Sequence, residues 1–374
     1  MKLLSPLLAV IPLLLVAQAA TLSPEAQRIE KKWQTTWDLW SLETRVATTP
    51  EALAKVWSTR PDITPFARQM WDLISPALND EESLEPAAWF LRVAPALITT
   101  QADGSTSPTF AKEIDAIRKA VESHHMKSLK LIPMCLALAT TQDPRSLAVL
   151  EKIQSQHPDP KTQGVAALGA AIILKSLGDN PDLMRKRLTC LRMAIIQSSD
   201  VTVDGSTVAQ LAEDELYIIR YLSKDRVAPD LSGIDSAGRP LKLSDHQNKI
   251  IVLLFWRSTM QDAERVLQIT TRMAQKFQGK PFIMIGVNSD PLEKLRALEA
   301  ANQTTWPNLS DPSNTLAAQY RIGSWPLIYV LDGKRKIHYS GAQGSFAELT
   351  AEALIAEIKP SAREEEPGPP KANP

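Results

Sequence analysis

The chain has 374 residues, with 42 Lys and Arg against 42 Asp and Glu, so its formal charge at pH 7 is zero. That balance offers no basic footprint for nucleic acid or for an anionic membrane surface, and a total of 2 cysteines excludes a disulfide framework. The length exceeds what one hydrophobic core sustains and predicts two or more domains.

Residues 1–19 read as a secretory signal. Met1 and Lys2 precede an apolar run from Leu3 to Val16, and Ala17-Gln18-Ala19 supplies the small-x-small pattern cleaved by signal peptidase. The run is short for a bilayer core about 30 Å thick, and Pro6 and Pro12 interrupt it, which favours a cleaved signal over a retained anchor. The mature protein is expected to be exported to the periplasm or cell envelope, without a membrane span.

From 20 to 225 the apolar spacing is helical throughout. Helices are predicted over about 23–47, 50–58, 62–78, 84–99, 108–122, 127–140, 143–156, 161–177, 181–197 and 206–223. No alternating run is long enough for a strand, so this domain is expected to be all-α. Pro50, Pro61, Pro108, Pro144, Pro158 and Pro181 fall in first turns or linkers. The short connections imply antiparallel neighbours resembling helical-hairpin repeats. No repeat signature accompanies them, and an irregular helical domain is the alternative.

Trp33, Trp37 and Trp40 stand at i, i+4 and i+7 on one helix face, as a packed helix presents its core stripe. They, with Trp57, Trp71 and Trp89, are read as core rather than as a ligand set. His124 and His125 are adjacent and diverge on a helix, so no metal site is expected. Cys135 and Cys190 lie in apolar helical patterns, as buried free thiols or as one long-range disulfide.

Near 225 the pattern changes. Pro229, Gly233, Gly238 and Pro240 are followed by the continuous apolar run Ile250 to Phe255. A helix is predicted over 260–278, a strand over 281–287, helices over 291–301 and 313–320, strands over 327–331 and 336–340, and a helix over 346–358. Continuous apolar strands between amphipathic helices require a sheet covered on both faces, so residues 226–359 are expected to form an α/β domain whose last two strands pair as a hairpin. Residues 360–374, with Glu364-Glu365-Glu366 and several prolines, read as a disordered tail.

Four elements of this domain, in order, resemble the TlpA-like thiol-disulfide reductases of the redoxin (AhpC/TSA-like) branch of the thioredoxin fold. They are Ala228-Pro229-Asp230-Leu231 with Gly238 to Asp245, the strand Ile250 to Trp256, the strand Pro281 to Asp290, and Ile322-Gly323-Ser324-Trp325-Pro326 with Leu327 to Asp332. The resemblance covers about a third of the chain and implies a thioredoxin-like domain with a cis-proline at Pro326. It also implies a Trp-Cys-x-x-Cys motif at the start of the first long helix, where backbone N–H groups stabilise a thiolate.

Here Thr259 stands at the motif's tryptophan, Met260 and Ala263 at its two cysteines, and Gln261-Asp262 between them. A thioether and a methyl group cannot perform thiol-disulfide exchange. The peroxidase variant of the fold lacks its cysteine equally, so both activities are disfavoured. Ser258 or Thr259 is instead expected to cap the helix, with Asp262 completing an approximate capping box.

The resemblance further implies that the residue before the cis-proline offers its backbone to an extended peptide, which needs no cysteine. An apolar binding patch is expected from Trp256, Met260, Trp325 and Pro326, unless Trp325 merely packs beneath its loop. The leading reading is therefore a non-catalytic envelope protein that binds other proteins or peptides and needs no cofactor. An oxidoreductase dependent on Cys135 or Cys190 is the second reading. Other chemistry at Ser258, Asp262 or Asp290 is a third, weakened by the lack of a neighbouring His or Lys in sequence.

Overall fold

The computed structural model describes residues 11–358 except 102, 104, 179, 261 and 343, with backbone alone at 11–22 and at Pro50. The expected tail over 360–374 lies outside these residues, as does the first half of the expected signal. The described residues form two compact units. One holds those up to Ser41 together with Thr59–Tyr217, and the other holds Leu42–Ser58 together with those from Ile218 onward. The sequence placed one boundary near 225. The second unit instead begins earlier and takes in a segment from the helical half, because contiguity in sequence says nothing of where a short helix packs.

Among the described residues ten α-helices precede the main sheet: α1 (Ile11–Val46), α2 (Pro50–Ser58), α3 (Thr64–Ile74), α4 (Leu84–Val93), α5 (Ala111–Ala120), α6 (Ile132–Thr140), α7 (Pro144–Gln156), α8 (Pro160–Ser176), α9 (Pro181–Ser198) and α10 (Val208–Tyr217). Three of them begin alike. Asp143, Asp159 and Asn180 each accept bonds from first-turn N–H groups through their side chains, and a proline follows each at the first helical position, where its missing N–H costs nothing.

In the first unit α8 is the central helix, packed by α6, α7 and α9. Close approach is built in, since a Cβ on Gly169 would lie 2.8 Å from the Cys135 carbonyl oxygen. The helical expectation holds, with one correction. Two short ribbons interrupt it, β1 (Ile98–Thr100) with β2 (Thr106–Pro108) and β3 (Thr202–Val203) with β4 (Ser206–Thr207). Strands of two or three residues carry no readable period.

The second unit contains β5 (Ser232–Ile234) paired with β6 (Pro240–Lys242), then β7 (Ile250–Trp256), α11 (Ala263–Lys276), β8 (Phe282–Asn288) and α12 (Leu292–Ala300). It continues with β9 (Asn308–Ser310), α13 (Thr315–Gln319), β10 (Leu327–Leu331), β11 (Ile337–Gly341) and α14 (Ser345–Glu357). The main sheet runs β11-β10-β7-β8-β9. β7, β8 and β9 are parallel, while β10 is antiparallel to both β7 and β11. This is the mixed sheet of a thioredoxin-like domain, with β7 buried along its whole length.

One face of that sheet carries a continuous apolar cluster including Trp256, Met260, Leu267, Met273, Phe277, Leu298 and Leu354. Ala47 and Leu53 are buried in it, and Val56 and Trp57 pack against it. The segment Leu42–Ser58 is thus part of this core.

Candidate functional site

The loop between β7 and α11, and the segment before β10, are the places where the sequence put the site. The peptide bond between Trp325 and Pro326 is cis. The helix itself starts later than expected. α11 opens at Ala263, and the residue before it, Asp262, is left-handed at φ 51° and makes no side-chain cap.

The capping box does not form, and Ser258, the other cap candidate, is held elsewhere. Ser258 is buried and donates from its N–H to Asp290 Oδ2 and from Oγ to Asp290 Oδ1, each at 2.8 Å. Asn288 Nδ2 donates to the same carboxylate at 2.8 Å. The N–H of Met260 turns back to the Arg257 carbonyl at 3.1 Å. The carboxylate just after β8 therefore fixes the serine away from the helix start, as short polar side chains allow.

The four residues expected to make an apolar patch divide. Trp256 is fully buried, and its indole donates to Asn308 Oδ1 at 3.0 Å. Gly286 makes room for this bond, since a Cβ there would lie 1.9 Å from Asn308 Oδ1. Met260 is 2 % exposed and belongs to the same cluster. Neither offers surface, which corrects the expectation for these two residues. An apolar strand end and an apolar turn beside a covered sheet fold inward. Trp325 and Pro326 remain half-buried at the surface.

Sequence reasoning missed the covering segment. The Trp57 indole donates to the Ser258 carbonyl at 3.0 Å, and the buried ammonium of Lys294, on α12, donates to the Ala47 carbonyl. Burial pulls the Lys294 pKa down to about 8, against the opposing charge of Asp290. Lys294, four residues after Asp290, is a cation near that carboxylate, contrary to the expectation that none stands there. Arg257 is exposed, with its guanidinium 5.4 Å from the Trp325 ring centroid.

The chain's sulfur nucleophiles are elsewhere. Cys135 and Cys190 are free and buried in the first unit. Burial pushes the Cys135 thiol up to about 12; burial and then the Glu151 charge push Cys190 to about 11. Such thiols stay protonated at neutral pH and are poor nucleophiles. Among the described residues no group of three or more His, Cys, Asp or Glu could hold a metal ion. His125 instead directs Nε2 to the Leu78 carbonyl at 2.7 Å. No helix among the described residues is long and apolar enough to cross a membrane.

No curated protein matches the chain. Among solved structures it is similar to the thioredoxin domain of a thiol-disulfide oxidoreductase from Bacteroides vulgatus, at 23% identity over 36% of this chain and 98% of that one, with a TM-score of 0.33. A thiol-disulfide oxidoreductase from Bacteroides fragilis is similar at 24% identity over 34% of this chain and 97% of that one, TM-score 0.31. A peroxidoxin from Mycobacterium tuberculosis is similar at 22% identity over 36% and 94%, TM-score 0.29. The AhpC/TSA family model matches residues 225–340, the thioredoxin-like part of the chain that follows the helical region.

Proposed function

We propose that the chain is an exported, redox-inactive thioredoxin-like protein that acts by binding a protein or peptide at the Trp325-Pro326 segment. The observation that carries this reading is the start of α11. Met260 and Ala263, both buried, stand where the family resemblance puts cysteines, and no cysteine occurs anywhere from residue 191 onward. Thiol-disulfide exchange needs a thiolate in reach of the substrate sulfur, and the two thiols of the chain are buried with raised pKa values. Export rests on the pattern of residues 1–19, and N-terminal sequencing of protein recovered from the cell envelope should begin at Ala20.

The purified mature protein should not accelerate dithiol-driven reduction of insulin above the uncatalysed rate. Turnover that survives in a Cys135→Ser, Cys190→Ser double variant would defeat the reading, because it would require a nucleophile other than sulfur. Turnover lost in that variant would favour an oxidoreductase built on the helical unit's thiols instead.

A further inference from the structure

α14 packs on the main sheet and carries two apolar faces. On the inner one Ala347, Ala351 and Leu354 are buried in the apolar cluster, with Ile355 and Ile358 packed against it. On the outer one Phe346 is 73 % exposed and Leu349 59 %, and Ala353 and Ala356 are exposed beside them. These four stand at i, i+3, i+7 and i+10, the spacing by which one helix seats against another. A helix that only covers a sheet needs one apolar face, with polar residues opposite.

The outer stripe is graded. Its two large side chains fall in the first half of the helix and its two alanines in the second. Phe346 with Ala356, and Leu349 with Ala353, are both centred on position 351. A second α14 laid antiparallel therefore sets each large side chain against a small one, which is how facing side chains interdigitate. A parallel copy would set phenylalanine against phenylalanine and alanine against alanine.

The charges fit the same arrangement. Glu357 is exposed in the last turn of α14, which holds no basic residue, and the N-cap position is Gly344, without a side chain to bond the first-turn N–H groups. A carboxylate at a helix C-terminus is unfavourable for its own helix and favourable beside the first turn of an antiparallel neighbour. Along one flank of the stripe Glu348 and Glu352 are held by Lys276, at 2.6 and 3.0 Å, which blunts repulsion between the same flanks of two copies.

We propose that the outer face of α14 is a self-association surface, on which a second copy of this chain seats its own α14 antiparallel about a two-fold axis at position 351. This inference is independent of the peptide-binding reading. One 13-residue helix from each copy makes a small interface, and small interfaces belong to weak, reversible association, here expected at about 10 to 100 µM.

Sedimentation equilibrium of the full mature chain, over about 1 to 300 µM, should show a monomer passing to a dimer and nothing larger, since a two-fold contact closes on itself. Phe346→Ser and Leu349→Ser should each raise the dissociation constant about tenfold or more, by loss of apolar contact. Lys334→Gln, in the exposed turn between β10 and β11, should leave it unchanged. Both serine substitutions are at exposed positions, so thermal unfolding of the dilute monomer should not move. Orientation is read from two single variants, Leu349→Cys and Ala353→Cys. Mixed under mild oxidation, they should crosslink to each other faster than either links to itself; Leu349→Cys linking faster to itself would mean a parallel pair and overturn the geometry. The chain's own thiols are buried and should stay out of this reaction. A full chain that stays monomeric to the highest concentration would overturn the proposal, and dimerisation of a chain ending at Ile358 would then make residues 359–374 the occupant of the stripe. A dimer indifferent to both serine variants would place the contact elsewhere and overturn it equally.

Discussion

Lys294 is a lysine at a core position of α12. It is 1 % exposed, its ammonium is bonded to the Ala47 carbonyl, and burial lowers its pKa to about 8. The same side chain in the unfolded chain titrates near 10.4. Between about pH 8 and 10 the unfolded chain therefore holds a proton that the folded chain has shed, so this group makes stability rise with pH across that window. The full swing is on the order of 3 kcal/mol. Cys135 and Cys190 act in the opposite sense. Their raised folded values mean that stability is lost as pH climbs past the unfolded thiol value of about 8.5. Comparing wild type with Lys294→Met cancels the thiols. The stability difference, measured by urea unfolding at steps from pH 7 to 10, should shift toward wild type as pH rises; a difference independent of pH would show that Lys294 is not charged and buried as described.

The residue scale is also where the sequence was least legible. Trp325 and Pro326 were found, because a Trp-Pro pair before an apolar strand is a local signal. Lys294 and Asn308 were not, since each bonds a partner far along the chain: Lys294 donates to Ala47, and Asn308 accepts from Trp256. Nothing in a single sequence reports such pairings.

Among the elements, β7, β8, β10 and β11 were legible as apolar runs bounded by turn residues, and their observed bounds differ from expectation by a residue at most. β9 was missed, being three residues long after a Trp-Pro pair. The start of α11 was misjudged because tertiary bonds fix Ser258 on Asp290 and Asp262 takes a left-handed turn before the helix, neither of which a capping pattern reports. The consequence is chemical. Met260 and Ala263 both face the apolar cluster, so Met260→Cys with Ala263→Cys would create buried thiols rather than an exposed nucleophile. In the folded state these should react with a maleimide more than about tenfold slower than in urea, since buried cysteines are inert. Insulin reduction should not appear. Rapid labelling of the native double variant would mean that the loop over 257–262 opens readily, and that the site is more accessible than its burial implies.

At the scale of the whole molecule, composition and periodicity separated a helical half from an α/β half, but not the exchange of one short piece between them. A discontinuous unit leaves no mark in a pattern read residue after residue. Leu42–Ser58 contributes buried Ala47 and Leu53, the packed side chains of Val56 and Trp57, and two hydrogen bonds to the thioredoxin-like domain. Removing it strips a core wall and leaves the Lys294 ammonium without its carbonyl, which exceeds the loss of a single buried leucine. A fragment from Ile218 to Ile358 should therefore be less stable than the same unit in the full chain by more than about 3 kcal/mol, the usual cost of one Leu→Ala core change. A synthetic peptide of residues 42–58 added in trans should recover part of that, raising the urea midpoint with a one-to-one stoichiometry. The same peptide with Leu53→Ala and Trp57→Ala should recover much less. A fragment as stable as the intact unit, and indifferent to the peptide, would show that Leu42–Ser58 merely rests on a complete domain.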